Sequence, residues 1–286
     1  KPSSAASDVY KRQNYISTKT SGDANQNLDI SNSSTMGVFT SDISDQVVNK
    51  EDSIAVHSWK DFPIADNKKT NIYGTLKRAD MRDMLFLKTK LKNTKYIDEL
   101  VIMTSSPRRR YALENNLADL IPVSCGKISF MDVRGNIDTR INKVFKTDID
   151  GVVLANAGVK RLGLDKHVSQ IFDVEEIVPS PLQGFLAIEA REDSDVSLYF
   201  ESFSSEESIL VTNYEKKFLK DLNLGCEYPA GFCMQINNNK EFTFNYFLKG
   251  PKEQIKNKEV FSYSDLSIQY SKMVHTLSPI IWLNQI

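Results

Sequence analysis

Lys60 and Asp61 form the first pair in this chain with the makings of a reactive site. They fall within Ile54-Ala55-Val56-His57-Ser58-Trp59-Lys60-Asp61-Phe62-Pro63. The run opens apolar, the pattern of a buried parallel strand. Pro63 keeps Phe62 out of the helical region, so the chain leaves the sheet there as a loop. Lysine and aspartate then sit near a strand's carboxyl end, where open α/β sheets bind ligands. A surface ion pair explains these ten residues alone at least as well.

Three arginine-bearing junctions shift that balance. Arg108, Arg109 and Arg110 occupy the first turn of a helix expected over 107–120, with Ser106 as its cap and Pro107 at its first position. Three cations there oppose the helix dipole, which an anionic ligand would explain; a solvated basic face is the other explanation. Arg134 ends a strand at 130–133, and Arg140 lies early in the helix 137–145, which Asn136 or Asp138 is placed to cap. Arg161 follows the strand 151–155 in a helix that starts at Asn156. Three such junctions on one sheet edge make a pocket for carboxylates or phosphates. Cys226 follows Gly225 just beyond a helix, and Lys216, Lys217 and Lys220 nearby favour its thiolate. A small buried side chain is the ordinary role of such a cysteine.

The elements that must hold these groups are those of an α/β protein. With 286 residues, 41% hydrophobic and 26% charged, the chain is long enough for two or three domains. A net charge of −1 gives no global field for nucleic acid, and no apolar run reaches the length of a membrane span. Cys125, Cys226 and Cys233 are odd in number and lack metal-ligand spacing, as in a reducing cytoplasm. Strands are expected at 54–58, 72–76, 84–87, 100–106, 183–190 and 242–247, and helices at 41–48, 206–222 and 266–277. Cys125 is placed between a helix and a strand, and Cys233 in an apolar strand. Residues 3–13 read like a translated sequencing-library adapter, so residues 1–13 are set aside as a non-native scar; a native disordered N-terminus, which their Ser/Ala content would permit, is the competing view.

Taken together, these residues resemble the porphobilinogen deaminase (hydroxymethylbilane synthase) family over about residues 14–250. Ala55-Val56-His57-Ser58 with Lys60-Asp61 and Pro63 is similar to its active-site loop. Thr104-Ser105-Ser106-Pro107-Arg108-Arg109, then Val133-Arg134-Gly135-Asn136 with Thr139-Arg140, are similar to its carboxylate-binding segments. Ala157 to Leu164, Gln183-Gly184 and Gly225-Cys226 with Pro229 and Gly231 complete the series. The resemblance implies two periplasmic-binding-protein-like α/β domains facing a cleft, plus a small C-terminal α+β domain. The first would span 14–78 and 184–203, without the family's opening strand and helix; the second 82–179; the third 207–286.

It also implies a dipyrromethane joined by a thioether to Cys226. Four porphobilinogens would be added head to tail with loss of ammonia, and water would release hydroxymethylbilane. Asp61 would be the catalytic carboxylate that stabilises cationic intermediates. Lys60, Thr104, Ser106, Arg108 and Arg109 would hold the cofactor, while Arg134, Arg140, Ala155, Arg161 and Gln183 would receive substrate. The implied setting is a cytoplasmic monomer with no nucleic-acid, membrane or metal partner. An organellar targeting signal stays open, because the opening segment is missing. Met36, Leu182, Asn223-Leu224 and Lys216 depart from the family pattern, Leu182 standing where the family has glycine. A small-anion binding protein of the same two-lobed fold is the alternative, as is a decayed paralogue; a plain binder needs neither Cys226 nor a third domain.

Overall fold

The computed structural model describes residues 16, 40–50, 53–63, 69–88, 91, 94–115, 120–121, 123–195, 203–225 and 228–282. Residues 1–13, Met36 and Cys226 lie outside them. The first unit contains helix α1 (Ser41–Asn49), strand β1 (Ile54–Ser58), a 3-10 turn at Trp59–Asp61 and strand β2 (Thr70–Gly74). The second runs through β3 (Asp83–Leu87), β4 (Tyr96–Met103), α2 (Pro107–Asn115), β5 (Ser124–Met131), α3 (Ile137–Lys146), β6 (Gly151–Ala155), α4 (Asn156–Arg161) and β7 (Gln170–Ile171). The chain then returns to the first sheet as β8 (Leu186–Arg191). The last unit holds α5 (Glu206–Asp221), β9 (Ala230–Ile236), β10 (Phe242–Lys249), β11 (Gln254–Phe261) and α6 (Leu266–Trp282).

Among the described residues, the first sheet has the order β1-β8-β2, and β8 is antiparallel to both neighbours. This corrects the expectation of a buried parallel strand at Ile54–Ser58. Its side chains alternate: Ala55 and His57 are buried, whereas Ile54 and Val56 are 40% and 58% exposed. The reason lies in connectivity, since its partner is a strand returning from the second unit rather than one reached by a crossover helix.

The second sheet, β5-β4-β6-β3-β7, is covered on both faces. Leu85 and Leu87 enter one core with Leu100, Ile102 and Phe172; Met84 and Phe86 enter the other with Val144, Val152 and Leu154. Such double burial makes β3 read as a continuous apolar run. β4 is parallel to both β5 and β6, so the three arginine-bearing junctions do emerge at one sheet edge. β3 is antiparallel to β6, with Asp83 opposite Ala155, which brings the start of β3 to that same edge.

The core of the third unit reaches into the first. Trp59, Leu182 and Phe185 pack in one cluster with Phe218, Phe232, Phe244 and Leu277. Trp59 also donates its N–H to Phe185 O at 3.1 Å, which fixes the turn carrying Lys60 and Asp61. Two further expectations are corrected. Cys125 lies within β5 rather than between elements, and residues 183–185 form a turn rather than the start of β8. That turn needs unusual backbone: Leu182 has φ 63° and Gly184 φ 96°. A side chain on Gly184 would place its Cβ 2.6 Å from Ala79 O.

Leu182 is 2% exposed, so it combines a left-handed backbone with a buried side chain. Leu182→Ala should destabilise by about 2–5 kcal/mol. Leu182→Gly loses the same side chain but relieves about 1–2 kcal/mol of left-handed strain. That exceeds the roughly 0.5–1 kcal/mol that glycine's extra freedom costs. The glycine variant is therefore expected to match or exceed the alanine variant in urea unfolding; the usual order, with glycine weaker, would refute the strain argument.

Candidate active site

A cavity of about 700 Å³ lies between the Trp59–Asp61 turn, the arginine edge of the second sheet and the 183–185 turn. Lys60, Asp61, Arg109, Arg140, Ala155, Arg161 and Gln183 line it, as do Ser58, Asn136, Asp138 and Phe185. Residues that are far apart in sequence thus meet around one volume. Arg108, Thr104, Ser106 and Arg134 are not among its lining residues.

Local structure explains most of these placements. Ser106 Oγ accepts the Arg109 N–H at 3.4 Å and its carbonyl accepts the Arg110 N–H at 3.0 Å, so it caps α2 as expected. Thr104 is buried, and its Oγ1 accepts the Ser106 N–H at 3.2 Å. Asn136 takes the cap position of α3 without a side-chain cap bond. Arg140 Nε donates to Gly135 O at 2.7 Å. Gly135 has φ 97°, a conformation that glycine adopts without strain.

The anion that relieves the basic start of α2 is internal. Asp83 is fully buried, and its Oδ2 accepts Arg108 Nη1 at 2.7 Å. Its Oδ1 accepts Arg109 Nη2 at 2.7 Å and Nε at 3.1 Å. Arg108 Nη1 also donates to Val178 O at 2.7 Å, and Arg110 Nη2 to Asp132 at 2.6 Å. Burial by itself would push the Asp83 carboxyl up, but the two guanidiniums hold it well below the usual carboxylate range. Asp83 was not among the expected site residues; an acid directly before a doubly buried strand was the available signal.

Lys60 and Asp61 do not pair. Lys60 Nζ donates to Gln183 Oε1 at 3.2 Å. Asp61 is exposed to the cavity, and among the described residues no cation lies within ion-pair distance of its carboxylate. Burial lowers the Lys60 pKa below the ordinary lysine value, and Arg109 and Arg108 act in the same direction against Asp61 and Asp83. Burial also lowers that of Arg140, assisted by Arg109 and opposed by Asp61. Neither Arg140 nor Arg161 has a carboxylate partner among the described residues. The cavity therefore presents Lys60, Arg109, Arg140 and Arg161 with Asp61 and Asp138 among them, a surface suited to a ligand with several carboxylates and some positive character.

An α/β fold with a cation-lined cleft at strand carboxyl ends defines a protein that binds polyanionic small molecules. A model of the family described as "Porphobilinogen deaminase, dipyromethane cofactor binding domain" matches residues 5–198. The match starts inside the adapter-like stretch. The chain is 34% identical to the porphobilinogen deaminase of Caldicellulosiruptor saccharolyticus, covering 83% of this chain and 79% of that one. It is 36% identical to that of Clostridium novyi, covering 80% and 75%, and 33% identical to that of Clostridioides difficile, covering 90% and 84%. The chain belongs to the porphobilinogen deaminase family.

The Asp83 ion cluster carries a pH signature. Because the folded carboxyl titrates below the ordinary aspartate value, about 3.9, its stabilisation is complete above that pH. It is lost as pH falls through the lower folded value. Asp83→Asn leaves buried guanidiniums without their anion and should cost about 3–5 kcal/mol at neutral pH. Urea unfolding should show this gap constant above about pH 4 and narrowing below it; a gap that widened in acid would contradict the ionised state of Asp83.

Proposed function

We propose that the chain is a hydroxymethylbilane synthase. It condenses four porphobilinogens head to tail, losing four ammonia molecules, and one water then releases hydroxymethylbilane. The observation that carries this reading is the cavity itself, in which Asp61, without a paired cation among the described residues, lines the same volume as Lys60, Arg109, Arg140 and Arg161. Each porphobilinogen brings an acetate and a propionate, so a growing chain needs several cations at fixed spacing. The donor set fits dipyrromethane for the same reason. When bound, that cofactor supplies the pyrrole end onto which the next unit is joined.

Lys60, on the Trp59–Asp61 turn, and Arg109, on α2, would hold its carboxylates. Arg108 would act behind Arg109 through Asp83, and Thr104 and Ser106 through the start of α2. Arg140 and Arg161 would take the carboxylates of incoming substrate, with Arg134 nearby in sequence and Ala155 and Gln183 shaping the wall. Asp61 would offset positive charge developing at the reacting pyrrole. At about 4 Å and an effective dielectric near 20, a full charge contributes roughly 4 kcal/mol.

Cys226 is the attachment point in this reading. Burial pushes the Cys233 thiol up to about 12, and Cys233 is fully buried in β9. Burial also raises the Cys125 thiol. Both therefore disfavour the reactive thiolate. Cys125 and Cys233 are free, and a cytoplasmic monomer is part of this reading. No helix among the described residues is long and apolar enough to cross a membrane.

Peptide mapping of the purified chain after incubation with porphobilinogen should find a dipyrromethane adduct on Cys226. An adduct on Cys125 or Cys233 would refute the assignment, and no adduct at all would refute the function. Asp61→Asn keeps size and hydrogen-bonding capacity while removing charge, so it should fold normally and turn over about a thousandfold more slowly. Unchanged turnover would remove Asp61 from the mechanism.

A further inference from the structure

Asp83 does more than neutralise two arginines. Its Oδ1 also accepts Gln183 Nε2 at 2.9 Å, and the same amide nitrogen donates to Met81 O at 2.6 Å. Both hydrogens of that nitrogen are thus committed on one side. The amide oxygen must face the other way, where it accepts Lys60 Nζ. Flipping the amide would set its oxygen against the Asp83 carboxylate and its N–H groups against the ammonium. The bonds therefore run from Arg109 to Asp83 to Gln183 to Lys60, crossing from the second sheet to the turn beside the first. Only the two middle members are fully buried, at 0% exposure. The two ends, Arg109 and Lys60, line the cavity.

We propose that Asp83 is a positioning residue for ligand carboxylates: an internal anion that holds Arg109 and, through Gln183, aims Lys60, so that cations from two walls converge before any ligand arrives. The inference rests on the reading of this cavity as the porphobilinogen site. Simple charge counting gives the opposite expectation. A negative group beside an anion site repels the ligand, so its removal should tighten binding. Positioning works against that repulsion, because unrestrained lysine and arginine side chains lose rotamer entropy on binding. The sign of the effect separates the two.

The test uses glutarate, an unreactive dicarboxylate, with the full chain and calorimetric detection. Competitive acylation of Lys60, read by mass spectrometry across pH, serves as a second readout. Burial, Asp61, Asp83, Arg108 and Arg109 all act on this lysine. A folded Asp83→Asn protein is expected to bind glutarate roughly tenfold more weakly, as for one charge-assisted hydrogen bond, with the Lys60 midpoint moved to lower pH. Unchanged or tighter glutarate binding overturns the proposal, whatever Lys60 does. If Asp83→Asn does not fold, Gln183→Met decides, since it breaks the link to Lys60 and leaves both Asp83–arginine pairs intact. Weaker glutarate binding in that variant supports the proposal, and unchanged binding overturns it. Failure of the porphobilinogen reading would appear separately, as a parent chain that acquires no adduct.

Discussion

The guanidinium of Arg78, on the link between β2 and β3, ties that link to the last unit and to the turn before β8. Its two terminal nitrogens pair with both oxygens of the fully buried Glu215 on α5, at 2.7 and 3.0 Å. Its Nε donates to Gln183 O at 2.9 Å, and Nη1 also reaches Met234 O on β9 at 3.2 Å. The Phe185 ring lies 4.7 Å from the guanidinium carbon. Glu215 in turn accepts the N–H groups of Leu182 and Met234. Desolvation still raises its pKa, so Arg78 and these N–H groups only partly offset the cost of burying that acid. Removing either member would leave a buried charge at the junction of all three units. The left-handed Leu182 and the Gln183 turn, and with them one wall of the cavity, depend on that pairing.

A second buried acid plays a comparable part in the first sheet. Glu189 on β8 accepts Ser44 Oγ at 2.9 Å and Thr70 Oγ1 at 2.6 Å, and lies 2.8 Å from His57 Nε2. Burial would raise its pKa, but these partners bring it below the ordinary value. The group joins α1, β1 and β2 to the returning strand three residues ahead of Lys60. Asp83, Glu189 and Glu215 are all buried acids whose partners come from other elements. Specific polar pairing thus occurs both inside the first unit and between units, beside an apolar cluster that the first and third units share.

Much of the arrangement was legible in the sequence because it depended on local signals. Ser106-Pro107 started α2 where expected, and the arginine-bearing junctions reached one edge because successive βα units keep their strands parallel. Of the residues read from the chain, Lys60, Asp61, Arg109, Arg140, Ala155, Arg161 and Gln183 line the cavity, whereas Thr104, Ser106, Arg108 and Arg134 do not. What was not legible was long-range. Nothing near Ile54 announces that its partner strand begins more than a hundred residues later, so β1 read as parallel. β11 was missed because its polar residues, among them Lys256, Asn257, Lys258 and Glu259, hide a strand exposed on much of its surface. The internal counter-ion escaped notice because a buried aspartate and a solvated one look alike until their partners are known.

The place of β8 also sets an order of events at the ribosome. Among the described residues, β1 and β2 are both paired to β8 and not to each other. Their sheet cannot close until residue 191 has emerged. The second unit, from β3 to β7, is by then complete and free to fold on its own contacts. At about 5–20 residues per second, β2 waits on the order of ten seconds for its partner. During that interval β1 and β2 lack the strand that pairs their backbone groups, which leaves the nascent first unit with open strand edges.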